Sequence, residues 1–199
     1  MRPAYAYLGI GLVFILAAIA FVNPGFMRSR DNGQHILDTA STSIMTFKLS
    51  STAFGEGDSI PAHYSCDGAQ ASPPLSIGGA PEGTKTFTLI MEDPDVPKAL
   101  KPDGVFLHWV VFNIPGSITE IIEGASLGIS GENGAGKTGY VAPCPPPQYD
   151  PREHRYVFTL YALDKELALQ AGAPKQVIIQ AMQGHILGTA QLIGKYKRK

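Results

Sequence analysis

Cysteine is nearly absent from this chain, two in 199 residues. That excludes a disulfide-dense miniprotein and a complete four-cysteine zinc site. A surplus of charge is missing too. Sixteen Lys and Arg stand against seventeen Asp and Glu, a formal net charge of −1 with histidine neutral. No global basic field therefore marks a nucleic-acid binder. Internal repeats and low-complexity tracts are lacking, and no G-x-S-x-G elbow supports a serine hydrolase. Glycine (22) and proline (16) are plentiful, which argues against a long-helix bundle and suits a loop-rich β domain. The 44% apolar share supports a packed core and rules out wholesale disorder.

Long uncharged runs are also scarce, with one exception. Residues 4–22 are uncharged and mostly apolar, and no charge appears between Arg2 and Arg28. As a helix this stretch spans roughly 28 Å, about the hydrocarbon thickness of a bilayer. Pro24 and Gly25 stop it. Residues 1–25 are thus expected to be a signal anchor or a signal peptide. Ala18-Ile19-Ala20 fits a cleavage site, but the run continues through Phe21 and Val22, which favours the anchor. Arg2 and the α-amino group nearly balance Arg28 and Arg30, so the charges set no orientation. Residues 26–45 read as a polar linker and residues 46–199 as the folded domain. That domain is expected to be exported: held by a transmembrane helix, or secreted if the leader is cleaved.

Within the domain, β signals dominate. Thr46 to Leu49 alternates, and Thr86 to Met91 puts Phe87, Leu89 and Met91 on one face. Phe106 to Ile114 is a nearly continuous apolar run that suits a strand buried on both sides. Arg155 to Leu163 is rich in aromatic and β-branched residues. Helical signals come late. Lys165 to Ala171 is a short candidate. Lys175 to Gln183 places Val177, Ile178, Ala181 and Met182 on one stripe behind Pro174. The expected fold is mainly β with small peripheral C-terminal helices.

Gly131 to Thr138 (GENGAGKT) satisfies the phosphate-binding P-loop pattern. That loop works between a buried strand and a helix whose N-terminus faces phosphate. Here Pro143, Pro145, Pro146 and Pro147 follow, and a run of prolines cannot supply a helical donor ladder. A glycine-rich surface loop is the better reading, with an NTPase as the disfavoured alternative. Asp93-Pro94-Asp95-Val96-Pro97 is a stiff turn that holds two carboxylates. His108 lies inside an apolar run. His154 and Tyr156, two residues apart on a strand, share a face, with Arg155 on the other. Imidazole and phenol donors suit an anion, and an aspartate would orient an imidazole and set its tautomer. The same groups leave a hydrolase as an alternative.

These segments in order, Asp93 to Pro97, His108 to Pro115, Gly139-Tyr140 with Cys144-Pro145-Pro146, and His154 to Leu163, resemble the phosphatidylethanolamine-binding protein family. The closer likeness is to its bacterial and archaeal Raf-kinase-inhibitor-like branch. Cys66-Asp67-Gly68, Ser72 to Leu75 and Gly184 to Leu187 support it. The likeness covers about residues 46–196. It implies a two-sheet antiparallel β fold with a small anion pocket. Asp93 and His108 would line the pocket with His154 and Tyr156 opposite, and residues 140–146 would form its rim. Ala142 stands where the rim usually has glycine, and residues 148–153 form an insert before His154. The family binds phosphate-like groups, including phospholipid head groups, and some members inhibit kinases or proteases. No catalytic activity and no cofactor are implied.

Cys66 and Cys144 are expected in this family whether or not they are bridged, so oxidation stays open at this point. A bridge would contribute about 4 kcal/mol in the chain-entropy model. Cys144, His108, His154 and Asp93 are metal-ligand types, but no spacing signature supports a metal site. Cys144 between prolines also lacks a helix N-terminus to activate it as a nucleophile.

Overall fold

The computed structural model describes residues 46–125 and 127–198. The expected membrane span over 4–22 and the linker over 26–45 lie outside the described residues. Among the described residues no helix is long and apolar enough to cross a membrane.

Two antiparallel sheets form the domain. The small one has the order β1-β2-β5, with β1 Lys48–Ser50, β2 Leu75–Gly78 and β5 Glu120–Ile121. The large one has the order β6-β4-β3-β7-β8. Its strands are β3 Thr86–Asp93, β4 Phe106–Pro115, β6 Ile129–Ser130, β7 Glu153–Leu163 and β8 Ile186–Lys197. One 3-10 turn, Ala62–Tyr64, and one α-helix, α1 Lys175–Met182, complete the regular elements among the described residues.

The alternation read from β3 and β7 decides the layering. Phe87, Leu89 and Met91 of β3 and Tyr156, Phe158 and Leu160 of β7 pack in one core with Leu49, Leu75, Ile77 and Ile121 of the small sheet. The opposite face of the large sheet buries Ile90, Val110 and Phe112 against Ile178 and Met182 of α1. Strand β4 contributes to both cores, as a continuous apolar run should. On α1 the buried stripe is Ile178 and Met182, four residues apart, whereas Val177, turned away by one position, is exposed.

The expected helix over Lys165 to Ala171 does not form. Its backbone is committed elsewhere. Thr86 Oγ1 donates to the Lys165 carbonyl (2.7 Å), and the Asn113 side chain takes both backbone groups of Leu167 (2.8 and 2.9 Å). Those groups cannot also join a helical ladder, and Leu167 is pulled into the α1 core. Asn113 is itself the product of a β-bulge. Phe87 pairs with Ile114 and Leu89 with Val111, which leaves two β4 residues opposite Thr88. Asn113 takes a left-handed φ of 55°, which Asn tolerates better than most side chains.

The Gly131 to Thr138 segment is a closed loop with no helix after it. Asn133 is buried at its centre, and its Oδ1 accepts the N–H groups of Ala135 and Lys137 (3.0 and 3.2 Å). A carboxamide oxygen thus occupies the amides that a P-loop would turn toward phosphate.

Asn113→Ala should lower stability by about 2 kcal/mol, because it strains the backbone and strands the Leu167 groups. Asn113→Gly relieves only the strain and should fall between. Urea unfolding midpoints of the three proteins check both expectations.

Candidate functional site

Three strands of the large sheet deliver the site. β3 ends at Asp93, and β4 and β7 begin beside it. A second bulge lies where Met91 pairs with Trp109 but Glu92 pairs with Leu107. His108 is the extra residue. In strict alternation it would face away from Trp109; the bulge lets both point between the sheets. On β7, His154 and Tyr156 face inward by simple alternation, while Arg155 faces outward and is exposed.

The side chains meet as follows. His154 Nδ1–H donates to Asp93 Oδ2 at 2.6 Å, with both side chains almost fully buried. Asp93 Oδ1 accepts the Asp95 N–H at 2.8 Å. His108 Nδ1–H donates to the Val141 carbonyl at 2.7 Å, and the His108 carbonyl accepts the Val141 N–H. A carboxylate and a carbonyl only accept, so both imidazoles carry a proton on Nδ1 and turn Nε2 to other duties. The His108 and Tyr156 rings meet edge-on with centroids 5.1 Å apart, and Phe106 closes on His108 from its other side at 4.8 Å.

Burial pushes the His108 pKa below the ordinary histidine value, against the Val141 carbonyl and the Asp93 charge, which act the other way. Burial also raises the Tyr156 pKa, with Asp93 adding to the effect, so the phenol keeps its O–H. Outside the pocket, the Arg155 guanidinium forms two short bonds to Asp95 (2.6 and 2.8 Å) and holds that carboxyl below its usual range. This pair ties the turn after β3 to the start of β7.

Asp93, His108, Ala142, His154 and Tyr156 all line one cavity of about 180 Å³. Every residue put forward from the sequence is therefore brought together. Val96, Phe106, Val141, Cys144, Pro145 and Pro146 complete the wall. Phe106 was legible by spacing, since it is two residues from His108. The Val141 carbonyl and the Asp95–Arg155 clamp had no sequence signal. The rim is covalently held, because Cys66 and Cys144 form a disulfide with Cα atoms 5.4 Å apart. Cys144 is therefore no thiolate ligand, and among the described residues no cluster of His, Cys, Asp and Glu could hold a metal ion.

A larger groove of about 670 Å³ lies on the opposite face of the sheet, floored by Val157, Thr159 and Tyr161. Four of its charges pair within it, Lys175 with Glu92 and Lys101 with Asp103. Among the described residues it contains no buried polar atom left without a partner. The small cavity does. His154 Nε2 and the Tyr156 hydroxyl are buried and lack a protein hydrogen-bond partner.

A histidine whose folded pKa lies below its unfolded value takes up a proton on unfolding. Its contribution to stability is complete above about pH 6.5 and declines as pH falls toward the folded pKa. The stability of the wild type relative to His108→Gln should therefore decrease on acidification below about pH 6.5. Urea titrations of both proteins at pH 8, 6.5 and 5 check the sign.

Known proteins are similar to this chain in sequence and in fold. A family model described as phosphatidylethanolamine-binding protein matches residues 50–197. A UPF0098 protein of Chlamydia trachomatis is 43% identical over 152 residues, covering 76% of this chain and 99% of the relative. One from Methanothermobacter thermautotrophicus is 43% identical over 157 residues, covering 75% and 98%. The crystal structure of a phosphatidylethanolamine-binding protein homologue from Chlamydia trachomatis superposes with a TM-score of 0.74 at 42% identity, covering 77% of this chain and 99% of that one. Escherichia coli YbcL, described as a member of the mammalian PEBP family, gives 0.67 at 26% identity, with the same coverage. With two antiparallel sheets and a cavity where β3, β4 and β7 meet, this chain belongs to the phosphatidylethanolamine-binding protein family.

Proposed function

We propose that the chain is a non-catalytic binding protein whose small cavity takes an oxyanion, either phosphate or the phosphorylated head group of a lipid. One observation carries this reading: two polar groups, His154 Nε2 and the Tyr156 hydroxyl, are buried at one cavity with no protein partner among the described residues. Each such group costs about 1–3 kcal/mol when left unmet. A ligand oxygen would satisfy both.

The chemistry favours an anion. The Tyr156 O–H donates to a ligand oxygen, and His154 Nε2 is left to bond the same group. Asp93 is engaged on both oxygens, so it orients His154 rather than competing for donors. The apolar wall of Phe106, Val96, Pro145 and Pro146 excludes water, which strengthens the few polar contacts inside. The domain would stand on the exported side of a membrane, tethered through residues 4–22, whose uncharged run supports that placement.

Calorimetry with inorganic phosphate and phosphoethanolamine tests the pocket. His154→Ala should abolish binding of both, and Tyr156→Phe should weaken it about tenfold. Tyr156→Phe should also leave the thermal midpoint of the free protein unchanged or higher, because it deletes an unmet hydroxyl. Unchanged phosphate affinity in both variants would overturn the assignment.

A further inference from the structure

Part of the pocket wall has few polar or covalent ties to the domain besides a disulfide. The rim begins securely. Val141 exchanges two hydrogen bonds with His108, the Tyr140 hydroxyl donates to the Tyr64 carbonyl (2.9 Å), and the Pro143 carbonyl accepts the Cys66 N–H (3.0 Å). Beyond Cys144 the chain runs Pro145-Pro146-Pro147, three residues with no N–H to donate. From there to Arg152 the hydrogen bonds and ion pairs among the described residues are local: Tyr149 N–H to the Pro146 carbonyl, and Arg152 near Asp150. Pro145 and Pro146 nonetheless line the cavity. Pro145 is buried and Pro146 half-buried, so packing holds them as well, and the Cys66–Cys144 bond just before them is their covalent tie to the domain.

The far side of the bridge is rigid. Ser65 is fully buried and its hydroxyl donates to the Ala62 carbonyl (2.8 Å), and the Tyr196 hydroxyl donates to Asp67 (2.6 Å). The bridge itself is open to reagents, with Cys144 exposed and Cys66 half-buried. An accessible disulfide between a firm anchor and a cavity wall whose own hydrogen bonds are only local is a place where chemistry can act on binding.

We propose that the Cys66–Cys144 bridge is a redox control on the cavity. This rests on the anion-binding reading above and adds its regulation. A dithiol supplies the electrons. One of its thiolates attacks the exposed Cys144 Sγ, the S–S bond breaks, and Cys66 leaves as a thiolate. The second reductant thiol then attacks the mixed disulfide and expels Cys144. The protein gains two electrons and two protons as two thiols, and the reductant becomes a disulfide. The proline wall is then free to swing outward. Water reaches His154 Nε2 and the Tyr156 hydroxyl, and the preorganisation of the site is lost. Oxidised protein is the binding form and reduced protein the releasing form.

The test compares the full chain before and after treatment with dithiothreitol, with free thiols counted, by calorimetry against inorganic phosphate. Reduction should weaken binding about tenfold, and reoxidation should restore it. Trypsin cleavage after Arg152 should accelerate on reduction while the thermal transition remains cooperative. Cys66→Ser with Cys144→Ser should match the reduced protein. Equal affinity in the two redox states overturns the proposal. So does global unfolding on reduction, which would make the bridge a structural staple only. Absence of phosphate binding in the oxidised protein instead overturns the pocket reading on which it rests.

Discussion

A carboxylate buried beside an imidazole is destabilising unless each finds a partner of the right geometry. The Asp93–His154 contact meets that condition, and the rest of the site is arranged around it. Asp93 accepts from His154 on one oxygen and from the Asp95 backbone on the other. Asp95 in turn grips Arg155, whose backbone N–H also donates to it. The turn after β3 and the first residues of β7 are therefore locked together on both sides of the strand, inside by an imidazole and outside by a guanidinium. That lock sets the ring plane of His154 and leaves its second nitrogen aimed at the cavity.

The site departs from the rule that buried polar groups are paired, and does so at one place. The large groove across the sheet shows the contrast. It is more than three times the volume, but among the described residues none of its buried side-chain polar atoms lacks a partner. Size alone would have pointed to the other face. Unmet polar groups at the small cavity are destabilising to the free protein and are tolerated because the two bulk cores are well packed. Two unmet polar groups gathered at one cavity are what a preset binding site looks like, whereas Thr88 Oγ1, also buried and unpaired, lies outside that lining.

Two β-bulges do much of the local work. One turns Asn113 toward Leu167 and dissolves the helix that the residues from Lys165 to Ala171 would otherwise form. The other turns His108 inward beside Trp109. Both lie on β4, the strand buried on both faces, where a one-residue shift exchanges an entire set of side chains between cores.

Local sequence determined a good deal. Alternation in Thr86–Met91 and Arg155–Leu163 assigned the inner faces of β3 and β7, because the side-chain period of a strand is two whatever it packs against. The placement of His154 with Tyr156 follows from that period alone, and that of Asp93 with His108 from a family likeness carried by ordered motifs. Tertiary structure decided the rest. Whether Cys66 and Cys144 are bonded depends on bringing together residues 78 apart in sequence. Whether Gly131 to Thr138 cradles phosphate depends on Asn133 folding back into its amides. The bulge at His108, the Val141 carbonyl that sets its tautomer and the absence of a helix over Lys165 to Ala171 all arise from partners distant in sequence. Periodicity and propensity are properties of neighbours, whereas registers, bridges and unmet donors are properties of the packed chain.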